Sequence, residues 1–107
     1  MKSNDRVFLS DRQLAIVCSI LLPVRSRMGP IKVFGSRATG RARPASNLNL
    51  VVFPPSSHRE LSQLRLAFEE SYLPIYVILS AWDEIDSQRL RDEIERDAIV
   101  FFEEAEA

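Results

Sequence analysis

Residues 35–53 read GSRATGRARPASNLNLVVF, and they hold the side chains best suited to chemistry. Gly35-Ser36 follows the apolar run Ile31-Lys32-Val33-Phe34, so a strand hands over to a turn and short helix at this point. Such a junction presents free backbone N–H groups, and a glycine lets a phosphate approach the main chain closely. The Ser36 hydroxyl can hydrogen-bond a phosphate oxygen. Arg37, Arg41 and Arg43 follow, and arginine offers forked donors to phosphate or carboxylate. After Ser36 and ten intervening residues comes Asn47-Leu48-Asn49 at the head of a second apolar run. Side chains alternate along a strand, so Asn47, Asn49, Val51 and Phe53 share one face and Leu48, Leu50 and Val52 the other.

This pattern, G-S-x10-N-x-N, resembles the G-S-x10-D-x-D signature of the nucleotidyltransferase superfamily related to DNA polymerase beta. The text VFGSRATGRARPASNLNLVVF is most similar to the minimal nucleotidyltransferases, small proteins often found as the antitoxin half of HEPN toxin–antitoxin pairs. The resemblance covers the chain in element order and is sharp over residues 31–53. It implies a small mixed sheet with helices packed on it, Mg²⁺ and ATP as cofactors, and AMP transfer to a tyrosine of a HEPN-type toxin. It also implies that Gly35, Ser36, Arg37, Arg41 and Arg43 lie at the nucleotide phosphates. Family members carry aspartates at the positions of Asn47 and Asn49, and a third carboxylate on the next strand, where this chain has Tyr76 in Pro74-Ile75-Tyr76-Val77-Ile78.

The chain departs from the family at all three metal-ligand positions. Asparagine keeps the shape of aspartate without its charge, and Mg²⁺ sheds water reluctantly and favours carboxylate oxygen. The expectation is an impaired or inactive transferase. Its alternative role is that of a non-catalytic antitoxin that works by protein–protein contact. Tyr76 is not isosteric with aspartate, which favours natural divergence over deliberate isosteric inactivation.

The elements that must position this site follow from the rest of the chain. Ser10 and Gln13 form a capping box ahead of a helix over 11–26, bent or ended near Pro23. Strands are predicted over 31–34, 47–53 and 74–80, with a short helix near 36–40, a loop over 41–46 and a stop at Pro54-Pro55. Ser57 and Glu60 form a second capping box, and Leu61, Leu64, Phe68 and Tyr72 fall on one helical stripe. Leu90, Ile94, Ala98, Phe101 and Phe102 mark a last helix starting near Ser87, in one or two pieces, and the tail 103–107 frays. The expected fold is α/β (α+β), with three strands and alternating helices in one domain over 1–107.

Composition agrees. A chain of 107 residues with 46% hydrophobic and 27% charged side chains suits one globular domain. The single cysteine, Cys18, excludes an internal disulfide and reads as a small buried hydrophobe. No run approaches the length of a membrane span and the start is too polar for a signal peptide, which points to the cytoplasm. The net charge of −1 hides an asymmetry: residues 12–59 carry eight bases and no acid, and the chain from Glu60 carries thirteen acids and four bases. Such a molecule can pair with an acidic partner, with a nucleoside triphosphate or with itself as a homo-oligomer. Few aromatics interleave with the bases, which argues against nucleic acid as the partner. His58 reads as a surface residue of a helix start, Trp82 as packing under the last helix, and Tyr72 and Tyr76 as packed side chains.

Overall fold

The computed structural model describes residues 7–102, and the expectation for the tail 103–107 lies outside them. Helix α1 spans Asp11–Leu21 and continues as a 3₁₀ turn over Leu22–Arg27, so Pro23 ends the α-helix as its missing N–H demands. The capping box is complete: Gln13 N–H donates to Ser10 Oγ at 3.1 Å, and Ser10 N–H donates to Gln13 Oε1 at 3.0 Å. Ser10→Ala removes one half of it and is expected to cost about 1 kcal/mol, read as a lower midpoint in denaturant unfolding with an unchanged slope.

Strand β1 covers Ile31–Phe34, helix α2 Ser36–Thr39, strand β2 Leu48–Val52, helix α3 His58–Glu69 and strand β3 Val77–Ala81. A 3₁₀ turn over Trp82–Glu84, helix α4 over Gln88–Asp97 and strand β4 over Ile99–Phe102 complete the described chain. The sheet order is β3-β2-β1-β4. β2 and β3 are parallel, joined by α3 as a crossover, and β1 pairs antiparallel with both β2 and β4.

One sheet face is closed by α1 and α3. Val17 and Leu21 of α1, and Leu61, Leu64 and Phe68 of α3, bury themselves with Ile31, Val33, Leu48, Leu50, Val52 and Leu79. Cys18 is half-buried against this core, close to the small-hydrophobe reading. On the opposite face a smaller cluster of Phe34, Val51, Ile85 and Ile94 gathers Phe53, Trp82 and Leu90 around it. The expected alternation of β2 is therefore observed: Leu48, Leu50 and Val52 face the larger core, while Asn49 and Val51 face away from it. No helix among the described residues is long and apolar enough to cross a membrane.

Three expectations are corrected. Residues 98–102 do not continue the last helix. Ala98 is its C-cap, with ψ 144°, and Ile99-Val100-Phe101-Phe102 is a fourth strand. Ile99 and Phe101 alternate into the larger core, a period of two that the spacing of Ala98 and Phe101 had mimicked as helical. Tyr72 is not on the buried stripe. Helix α3 stops at Glu69, the Ser71 hydroxyl donates to Phe68 O at 2.7 Å, and Tyr72 stands 92% exposed. Strand β3 begins at Val77 rather than Pro74, whose ring nitrogen cannot donate to a ladder. Only one half of the expected second capping box forms, with Ser57 Oγ accepting from Glu60 N–H. The Glu60 carboxylate turns to Arg27 Nε at 2.8 Å, tying α3 to the 3₁₀ turn after α1.

Candidate nucleotide-binding site

Register brings the motif together. Phe34 of β1 pairs with Asn49 of β2, so Gly35 and Ser36 leave the sheet beside Asn49. Gly35 has φ 81° and ψ −155°, a conformation that favours glycine. A Cβ there would stand 2.7 Å from the Asn49 amide nitrogen, so the asparagine side chain lies directly against the glycine main chain. On the other side of β2, Leu48 pairs with Val77 and Asn49 with Ile78, and Leu48 N–H donates to Tyr76 O at 2.9 Å. Extending this register by one residue sets Asn47 beside Tyr76. Asn47, Asn49, Tyr76 and Ile78 thus share one face of two neighbouring strands, with Ser36 at the same corner. Asn47 is exposed, Asn49 and Ser36 are half-buried, and Tyr76 is 67% exposed, so its packed reading is corrected.

The arginines divide. Arg41 and Arg43 are exposed on the loop between α2 and β2. Arg37 is 4% exposed and turns inward. Its Nη1 donates to Phe8 O at 2.9 Å, its Nη2 to Ser46 O at 2.9 Å and to Arg43 O at 3.1 Å, and its Nε to Ser46 O at 3.2 Å. Phe8 N–H returns a bond to Arg37 O at 2.9 Å. Burial draws the guanidinium below the ordinary arginine pKa, and it remains charged. The expected phosphate role of Arg37 is therefore corrected: its donors hold the loop in place for Arg41 and Arg43. The sequence signal, a basic residue after Gly-Ser, does not distinguish a side chain that reaches a ligand from one that fills its own loop's carbonyls.

Other candidates fall outside this corner. His58 is on the surface, with Nδ1 3.2 Å from the Glu84 carboxylate. Trp82 stacks on Phe53 at 4.9 Å and lies under the Arg91 guanidinium of α4 at 4.4 Å, the packing role expected of it.

The likeness that decides the family is to a solved structure. The chain is 31% identical to a protein described as a minimal nucleotidyltransferase, over 79% of this chain and 88% of that one, with a TM-score of 0.60. The chain belongs to the minimal nucleotidyltransferases. The same fold recurs in a toxin–antitoxin structure with AMP-PNP, at 15% identity over 89% of this chain and 74% of that one, TM-score 0.66. It recurs again in a nucleotidyltransferase from Sulfolobus solfataricus, at 18% identity over 86% and 81%, TM-score 0.54. No family model and no curated protein matches the sequence.

The metal implied by this minimal nucleotidyltransferase's family does not fit the residues present. Asn47, Asn49 and Tyr76 supply neutral amide and phenol groups where Mg²⁺ would want anionic oxygen. Among the described residues no group of three or more His, Cys, Asp or Glu side chains could hold a metal ion. The main chain of Arg41 bonds to Ser36 and that of Arg43 to Ser46, so the loop leading to these positions adds two exposed basic side chains and no acid.

Proposed function

We propose that this minimal nucleotidyltransferase is an antitoxin that neutralises a HEPN-type toxin by binding it, with nucleotidyl transfer lost or severely impaired. The observation that carries this reading is that Asn47, Asn49 and Tyr76 share one strand face; the sequence resemblance implies that these are the family's carboxylate positions. In family members Mg²⁺ neutralises the triphosphate and the charge that develops on transfer, and these residues offer it no anionic ligand. The likeness in fold to a toxin–antitoxin structure supports the antitoxin role, and that structure's AMP-PNP supports a nucleotide origin for the corner. Gly35, Ser36, Arg41 and Arg43 remain as contacts for a triphosphate without metal, or for an acidic face of the toxin.

The test is co-expression with a HEPN-type toxin, followed by intact-mass measurement of that toxin. Neutralisation with an unmodified toxin, and a purified complex that survives EDTA and nucleotide removal, is the expected outcome. A toxin that gains the mass of one or more AMP groups, in step with neutralisation, would refute the binding mechanism and restore the enzymatic one.

A further inference from the structure

Among the described residues β3 is an edge strand whose one sheet neighbour is β2. Since Leu48 N–H reaches Tyr76 O, the polar main-chain groups of Tyr76, Ile78 and Ser80 turn towards β2, and those of Val77, Leu79 and Ala81 turn outward. Arg65 of α3 meets this edge, donating from Nη2 to Leu79 O at 2.9 Å. Beside it lies a groove of about 500 Å³ lined by Arg65, Phe68, Glu69, Leu73, Ile75 and Val77. Tyr76 and Ile78 stand 67% and 38% exposed on the other side of the strand. An apolar edge of this kind templates pairing with a further strand unless something covers it.

We propose that a second copy of this chain covers it, by antiparallel pairing of β3 with β3 about a two-fold axis. The outward groups of Val77, Leu79 and Ala81 allow a two-fold axis at Leu79, pairing Val77 with Ala81, or at Ile78, pairing Val77 with Leu79 of the second copy and Leu79 with its Val77; the axis lies at Ile78. Ile78 then packs on Ile78, and Tyr76 lies opposite Ser80. Charge supports the same centre. A crossover helix between parallel strands runs antiparallel to them, so Glu69 lies one turn, about 5 Å, from Arg65 towards the start of β3. Arg65 sits at the level of Leu79, which puts the midpoint of Arg65 and Glu69 near Ile78. The two-fold therefore sets Arg65 against Glu69 of the second copy, twice, as a self-complementary interface requires. The Leu79 carbonyl passes from Arg65 to the incoming Val77 N–H, and Arg65 is released to its new carboxylate partner.

Sedimentation equilibrium on the full chain tests this with Arg65→Glu, Glu69→Arg and an equimolar mixture of the two variants. The unaltered chain is expected to dimerise. Each variant alone sets like charges together and should dissociate at least about 100-fold more readily. The mixture should regain the dimer, because the carboxylate introduced at position 65 of one variant then meets the guanidinium introduced at position 69 of the other. Amide hydrogen exchange gives a second readout on the unaltered chain, with Val77 and Leu79 protected more strongly as concentration rises. A chain that stays monomeric at all concentrations, a dimer indifferent to both charge reversals, a mixture that stays monomeric, or exchange at Val77 and Leu79 that ignores concentration would each overturn the proposal. A monomer whose edge becomes protected on adding toxin would overturn it too, and would assign the edge to the toxin instead.

Discussion

Titrating ATP into Asn47→Asp/Asn49→Asp is expected to show binding that requires Mg²⁺ and is lost in EDTA, while the unaltered chain binds weakly and indifferently to the metal. The reason lies in the strand geometry. Both substituted side chains project from one face of β2, next to Gly35-Ser36, so two carboxylates there would converge on a single ion. Groups that merely orient metal ligands are worth about 10–100-fold in metal affinity, so two restored ligands should strengthen Mg²⁺-dependent ATP binding by at least about 100-fold. Adding Tyr76→Asp, on the neighbouring strand and the same face, should strengthen it further. The substitutions are nearly isosteric at 47 and 49, and position 76 is largely exposed, so stability should change by less than about 1 kcal/mol. Equal Mg²⁺ dependence in the unaltered chain and the double variant would show that the amides suffice as ligands. Absence of ATP binding in every form would remove the nucleotide reading and leave the corner as a protein-binding surface.

The sequence made the centre of the molecule legible and its rim less so. Strand alternation at Leu48, Leu50 and Val52 sorted the larger core from the opposite face because one face of β2 is sealed by two helices, and burial of that kind leaves a period-two signature. The junction at Gly35 was legible for a different reason, since few residues tolerate its backbone conformation. β4 was not legible. A run of so few apolar residues does not separate a period of two from one of 3.6. The pairing partner that decides between them, β1, lies far back in the chain, with Lys32 against Val100. Tyr72 and Tyr76 were misjudged because aromatic residues near an apolar stripe usually pack, whereas here the helix ended first and the strand lay at an edge. The groove beside β3 depends on sheet order, which local pattern does not encode.

Arg37→Ala is expected to be the most damaging single change at the site, through stability rather than ligand affinity. Its guanidinium gathers carbonyls from two separate stretches, Phe8 ahead of α1 and Arg43 to Ser46 in the loop before β2. Removing it leaves several carbonyls without donors in a space 4% open to solvent. Hydrogen bonds to a charged partner contribute about 1.5–3 kcal/mol each but are not additive, so a loss of about 3 kcal/mol is expected, or about 10–20 °C in Tm. Arg37→Lys should recover only a minor part, because one ammonium cannot reproduce the planar fork that spans Phe8 O and Ser46 O. Arg41→Ala and Arg43→Ala, on exposed side chains, should leave Tm within a few degrees and act only on ligand or partner binding. The contrast separates two jobs that look alike in the sequence. A thermal melt of Arg37→Ala that overlays the unaltered chain, with anion or toxin binding reduced, would mean that the side chain leaves its carbonyls to reach the ligand. A lowered Tm would mean that the loop is built around Arg37, and that Arg41 and Arg43 can face outward because it does not.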